Sequence, residues 1–235
     1  MSEAPAAIRI SPADYDAWRS SLLGAITESL EQRVIQDLMG PVDGADVLDA
    51  GCGDGALACA LASRGALVTG IDADPAMLAA ARTRAQTTGE RVTFLPGRIE
   101  QLPLADARFD VVVAVTVLCF VADATAAVRE MARVLRPGGR LVLGELGRWS
   151  AWAATRRLKG WLGASTWKAA HFRSAGALRT LLEQAGLSVD AVHGAVFYPP
   201  IGVCARLLAP LDPWLRHRTT TGAAFIALSA SLTTD

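Results

Sequence analysis

The stretch that most constrains this chain is residues 45–55, A-D-V-L-D-A-G-C-G-D-G, followed at once by a helix-forming run over 56–64. Val47 and Leu48 read as a short buried strand. Gly51, Gly53 and Gly55, at alternate positions, read as a turn whose backbone nothing bulky shields. A strand, a glycine-rich turn and a helix start together offer free N–H groups to a ligand that must approach the main chain. The spacing is G-x-G-x-G rather than the G-x-G-x-x-G of the dinucleotide fingerprint, so the triplet alone leaves the ligand open. Asp72 narrows the choice. Residues 67–71, L-V-T-G-I, read as a second strand, with Asp72 at its carboxyl end. A carboxylate about 20 residues past such a turn is placed to accept hydrogen bonds from ribose hydroxyls. The competing role, N-cap of the helix opening at Pro75, suits Asp74 better because it directly precedes that proline.

Four ordered motifs now stand out: V-L-D-A-G-C-G-D-G-A-L-A, G-I-D-A-D-P-A-M-L, F-D-V-V-V-A-V and L-R-P-G-G-R-L-V-L. Together they resemble the motif series of the class I S-adenosylmethionine-dependent methyltransferases, in their small-molecule, type 11 branch. The resemblance covers roughly residues 46–146 and is looser on either side. It implies an α/β fold: a doubly wound, Rossmann-like sheet, mostly parallel with an antiparallel last strand, and helices on both faces. It divides the chain into a helical cap (1–44), a cofactor-binding core (45–146), and substrate-side helices with the final two strands (147–235).

The residue pattern supports the alternation such a sheet requires. After a loose tail over 1–13, residues 14–39 read as one or two helices. Strands are expected at 47–49, 67–71, 92–95, 110–116 and 141–145, with helices at 56–64, 75–87 and 124–135. Residues 96–108 read as a loop, and Arg136-Pro137-Gly138-Gly139 as a type II turn ahead of the fifth strand. Helices at 149–162 and 174–185 follow. The last two strands are expected at 187–197 and 222–230, bridged by an irregular, proline-bearing segment.

Composition sets the outer limits. A hydrophobic share of 51% with 20% charged residues in 235 residues suits a packed core. Lys+Arg and Asp+Glu balance at 23 each, so no global field recruits nucleic acid or an anionic membrane. The N-terminus lacks a signal pattern, and no apolar stretch is long enough to span a bilayer. Cys52, Cys59, Cys119 and Cys204 show no C-x-x-C pairing, so neither a zinc site nor a disulfide framework is expected. A cytoplasmic location is the simplest expectation; the oligomeric state is left open.

Ligands of open α/β sheets lie at the carboxyl ends of the strands, which gathers Asp49, residues 51–53, Asp72, residues 97–100 and residues 116–120 around one crevice. The resemblance implies S-adenosylmethionine as the cofactor and assigns parts of the site. Asp49 would fix the glycine turn and approach the methionine amino group. Gly51, Cys52 and Gly53 would let the methionyl and ribose portions lie along the backbone. Asp72 would take the ribose hydroxyls, Ala73 or Met77 would line the adenine slot, and Arg98 and Ile99 occupy the loop that reads the adenine edge. Thr116 closes the crevice. Many relatives carry Asp where Arg98 stands, and Arg cannot accept from an adenine amino group, so the Ile99 N–H is the better reader.

The acceptor side is less legible. No Asn/Asp-Pro-Pro-Tyr/Phe signature follows the fourth strand, which argues against methylation of DNA bases or glutamine. No carboxylate cluster suggests a divalent metal. His171 and Glu145 are the candidate catalytic residues, each with a plain structural alternative. Cys119 reads as packing. Tyr15 and Trp18 either cover the cofactor or pack on the sheet. The Trp149–Trp161 stretch, with Arg156, Arg157 and Lys159, fits a peripheral membrane contact, a lid on an apolar acceptor pocket, or a helix with a solvated basic edge. The leading expectation is a methyltransferase acting on a small, lipophilic or aromatic acceptor. A nicotinamide-dependent oxidoreductase and a non-catalytic, partner-dependent module are the alternatives.

Overall fold

The computed structural model describes residues 11–163, 167 and 170–232. The tail expected at 1–13 therefore lies largely outside the described residues. The core is a seven-stranded sheet: β1 (Asp46–Ala50), β2 (Leu67–Asp72), β3 (Val92–Pro96), β4 (Phe109–Val115), β5 (Leu135–Leu146), β6 (Leu187–Ala195) and β7 (Phe225–Leu232). Their order is β3-β2-β1-β4-β5-β7-β6, and β7 runs antiparallel to both neighbours. This is the mostly parallel, doubly wound sheet with an antiparallel last strand.

The inner strands β1, β2, β4, β5 and β7 carry continuous apolar runs, not alternation with polar residues, and are buried on both faces, whereas the edge strands β3 and β6 are partly exposed. Successive side chains still divide between the faces. Val47, Val111, Val113 and Val142 pack with α2 (Leu22–Met39), α3 (Ala56–Ala62) and α4 (Pro75–Thr88). Their neighbours Leu48, Val112, Ala114 and Leu143 pack with α5 (Ala124–Val134) and α7 (Ala175–Glu183) on the other side. Strand order reverses between β1 and its neighbours β2 and β4, so the crevice opens where β1 ends.

The N-terminal helical stretch is two helices, α1 (Pro12–Ser20) and α2, broken at Ser21. The Ser21 hydroxyl caps α2 by accepting from the Gly24 N–H at 3.0 Å. A Cβ on Gly24 would come within 1.9 Å of the Trp18 carbonyl oxygen, so the tight joint needs glycine.

Three expectations are corrected. The 136–139 turn is not outside the fifth strand: β5 already starts at Leu135, and its pairing with β4 shifts register between Phe109 and Val111 to absorb the excursion. Gly138 supplies the left-handed residue (φ +76°), and Arg136 clamps Asp46 and Asp110 at 2.7 and 2.6 Å, joining the starts of β1 and β4. The bridging segment before β7 is not irregular. It contains α8 (Gly202–Leu208), a 3-10 turn (Ala209–Leu211) and α9 (Asp212–Leu215), in which Pro210 and Pro213 occupy first-turn positions. Proline there loses no intrahelical hydrogen bond. The last two strands also differ: β6 stops at Ala195, where Asp212 pins the following chain by accepting from the Val196 and Phe197 N–H groups at 2.7 and 3.1 Å, and β7 runs over Phe225–Leu232 rather than 222–230.

Candidate functional site

The glycine turn is held open by its own geometry. Gly51, Gly53 and Gly55 all have positive φ, at +82°, +52° and +75°. The Gly51 and Cys52 N–H groups donate to the Ile71 carbonyl at 2.8 and 2.9 Å, lashing the turn to β2. A Cβ on Gly51 would meet the Val117 side chain at 2.4 Å, whereas one on Gly53 would meet nothing within 4 Å. Gly51 is thus required by packing, and Gly53 faces open space.

The carboxylates in and beside this turn have different environments. Asp72, at the end of β2, accepts from the Gly53 N–H at 2.9 Å on one oxygen and from the Asp74 N–H at 2.8 Å on the other. Each oxygen keeps a spare lone pair. Asp74 caps α4, accepting from the Ala76 N–H at 2.8 Å. Asp49, at the end of β1, is buried, and its Oδ2 has no hydrogen-bond partner. Burial, reinforced by the charges of Asp72 and Asp54, pushes its carboxyl up to about 7. An orphaned buried carboxylate oxygen beside an open glycine turn fits a cation-bearing ligand. Asp54, also buried, is satisfied by Arg19 from α1 at 2.6 Å and Arg84 from α4 at 2.7 Å. That three-way clamp ties the N-terminal helices to the glycine turn. Neither arginine was flagged by sequence, although a charged residue between two glycines of a tight turn was a usable signal.

The opposite wall follows β4. Thr116 is left-handed (φ +53°), and its N–H donates to the Gly144 carbonyl at 2.6 Å. Glu145 is buried at the end of β5. Its Oε1 accepts from the Val117 and Leu118 N–H groups at 3.1 and 2.8 Å, while Oε2 has no partner. Burial outweighs these bonds and raises its carboxyl to about 7. Cys119 is buried with its thiol pushed far up by desolvation, a packing environment that disfavours a thiolate. His171 donates its backbone N–H to the Cys119 carbonyl at 2.9 Å, and its side chain is exposed. Arg173 donates to the Leu118 carbonyl at 2.8 Å.

The loop after β3 brings Ile99 into the core, while the exposed Arg98 side chain turns to Glu100 at 2.7 Å. Ala73 is exposed, and Met77 is half-buried at the start of α4. Helix α6 (Ala151–Trp161) buries Trp152 and leaves Trp161 exposed at its end, as is Trp149 just before it. Among the described residues no cluster of three or more potential metal ligands forms, and no helix is long and apolar enough to cross a membrane.

Comparison with known proteins agrees with this geometry. The family described as a methyltransferase domain, type 11, matches residues 48–143. A ubiquinone biosynthesis O-methyltransferase of Methylobacterium sp. (strain 4-46) is 34% identical over 167 residues, covering 69% of this chain and 67% of that protein. The protein of the same name from Cereibacter sphaeroides is 33% identical over 184 residues, covering 75% and 74%. Among solved structures, magnesium protoporphyrin IX methyltransferase from Synechocystis PCC 6803, with S-adenosylhomocysteine bound, superposes with a TM-score of 0.64. It is 22% identical, with 96% of this chain and 89% of that one covered, and so speaks for the fold. Glycine turn, strand order and sequence kinship converge: the chain belongs to the class I S-adenosylmethionine-dependent methyltransferases, in their type 11 branch.

Proposed function

We propose that this methyltransferase is an O-methyltransferase of a small, lipophilic or aromatic acceptor, with its donor lying across the glycine turn between Asp49 and Asp72. The orphaned Asp49 Oδ2 carries the donor assignment, since a buried carboxylate oxygen without a partner stays ionised near neutral pH only where a cation offsets its charge. The two O-methyltransferase relatives support oxygen as the methylated atom.

In this reading Asp49 holds the donor's methionine ammonium. Gly51, Cys52 and Gly53 present main chain to the methionyl and ribose portions, and Asp72 accepts from the ribose hydroxyls through its spare lone pairs. Ala73 and Met77 line the adenine slot, the Ile99 N–H reads the adenine edge, and Arg98 contributes main chain only, its side chain being committed to Glu100. Thr116 and the 117–118 backbone, fastened by Glu145, form the wall on the acceptor side. The donor, when bound, supplies an electrophilic methyl on a sulfonium. The protein's main task is then to hold the acceptor oxygen in line with it and exclude water. A hydroxyl acceptor must also lose a proton. His171, tethered to Cys119 yet open to solvent, is assigned that proton, and Glu145 is assigned a positioning role. Replacing His171 with Asn should lower kcat on a hydroxyl acceptor about tenfold or more while leaving donor affinity unchanged. An unchanged kcat removes His171 from the chemistry.

A second feature concerns where the enzyme works. Ile201, Val203, Leu207, Leu211 and Trp214 are all more than half exposed on the segment carrying α8 and α9, close in sequence to Arg206 and Arg218. Apolar residues interleaved with cations support a peripheral contact with an anionic lipid interface, suited to a lipophilic acceptor.

A further inference from the structure

The end of the sheet opposite the crevice is not closed. Strands β1, β2 and β3 run parallel, so their first residues, Asp46, Leu67 and Val92, share that end, and all three line a groove of about 790 Å³. A doubly wound sheet carries a layer on each face, but residues 97–108, which connect β3 to β4, form no helix. The strand ends stay uncovered: Leu67 is 62% exposed, and Thr93 of β3 is exposed as well. A groove of this size suits a small molecule.

Three arginines from separate parts of the chain line it: Arg82 of α4, Arg91 just before β3 and Arg108 just before β4. Among the described residues none of them has an ion pair. Two are held in place all the same. Arg82 donates to the Phe94 carbonyl at 3.2 Å, and the Arg108 guanidinium carbon lies 5.0 Å from the centre of the Phe109 ring. Carboxylates in the lining are fewer. Asp46 is already taken by Arg136 at 2.7 Å, which leaves Glu90 against three guanidinium groups. The C-terminus of α4 also reaches the groove, but Gly89 and Glu90 close it by donating their N–H groups to the Ala85 carbonyl. Thr69 of β2 adds a neutral group. It lines the groove, is 5% exposed, and its hydroxyl has no hydrogen-bond partner among the described residues.

We propose that this groove binds a small organic phosphate ester, its phosphate taken by the arginines of the lining and the Thr69 hydroxyl, its carbon skeleton lying along Leu67 and Val92. A tetrahedral dianion offers oxygens to more than one arginine, whereas a carboxylate is satisfied by a single guanidinium fork. The exposed strand leucine gives the ester an apolar surface that free phosphate does not use. The groove is separate from the crevice and does not depend on what is methylated there.

The test is calorimetric, on the full chain with S-adenosylhomocysteine present and absent. Phenyl phosphate, naphthyl phosphate and ribose phosphate are titrated beside phenol, naphthol, ribose and inorganic phosphate. At least one ester should bind roughly thirtyfold more tightly than both its parent alcohol and inorganic phosphate, equally with and without S-adenosylhomocysteine. In the double variant Arg91→Gln, Arg108→Gln that preference should fall to about threefold or less, with S-adenosylhomocysteine affinity unchanged. Leu67→Ser should weaken the ester severalfold and leave inorganic phosphate unaffected. Silence from every ester, a preference that survives the arginine variant, or inorganic phosphate binding as tightly as any ester each overturns the inference. So does competition with S-adenosylhomocysteine, which would put the ester in the crevice. Circular dichroism of the variants excludes unfolding as the cause.

Discussion

At the scale of single residues, Asp49, Glu31 and Glu145 share one condition: burial raises each carboxyl to about 7. A group that holds its proton more tightly folded than unfolded loses stabilising effect as pH rises between the two values. These three therefore make the ligand-free protein less stable as pH climbs from about 4 to about 7, with no further change above. Asp110 and Glu130, held low by Arg136 and Arg133, act only at more acid pH and do not compensate in that window. The ligand-free melting temperature should accordingly be higher at pH 5 than at pH 8, and Asp49→Asn should narrow the difference. A cation seated on Asp49 favours its ionised form, so donor affinity should rise from pH 6 to pH 8 with proton release below 7. Titrations in buffers of different ionisation enthalpy would register that release; a flat profile removes Asp49 from the donor site. The two glycines beside it make a paired prediction. Gly51→Ala drives a methyl into Val117 and should cost roughly 1–3 kcal/mol of stability. Gly53→Ala strains only the backbone, by about 1 kcal/mol, yet should weaken the donor more than it weakens the fold.

At the scale of elements, the clamp of Asp54 by Arg19 and Arg84 decides whether α1 is part of the site. Asp54→Ala leaves two partly buried guanidinium groups without their main partner and should destabilise the protein by about 2 kcal/mol or more. Hydrogen exchange should show the loss concentrated in α1, and undiminished protection over residues 12–20 would refute the coupling. This clamp also marks the limit of what the sequence discloses. The glycine turn, Asp72 and the strand–helix alternation were legible because each signal lies within a few residues of itself. Asp54 meets Arg19 and Arg84 across 35 and 30 positions. Such pairs leave no local pattern. Helices α8 and α9 were hidden differently: four prolines within 199–213 mimic an irregular linker, but two of them open turns of helix.

At the scale of the whole molecule, the fold keeps the charged crevice and the most exposed apolar side chains on different elements. The carboxyl ends of β1, β2, β4 and β5 gather the charged and open residues, while the segment carrying α8 and α9 bears a surplus of exposed apolar side chains. Single exposed residues mean little, but Ile201, Val203, Leu207, Leu211 and Trp214 are each more than half exposed within fourteen positions, and a lipid surface is what the proposed contact asks of them. The protein should sediment with vesicles containing anionic lipid and not with neutral ones. The pair Leu207→Asp and Trp214→Ser should abolish sedimentation while leaving activity on a water-soluble acceptor intact. Sedimentation unaffected by the pair assigns the patch no part in lipid contact.

The account rests most heavily on the donor lying between Asp49 and Asp72. Calorimetric titration of S-adenosylhomocysteine into the wild type and into Asp72→Ala tests it directly, with NADH as the control. The account predicts micromolar binding to the wild type, none to a correctly folded Asp72→Ala, and no response to NADH. An Asp72→Ala protein that binds S-adenosylhomocysteine as tightly as the wild type would contradict it.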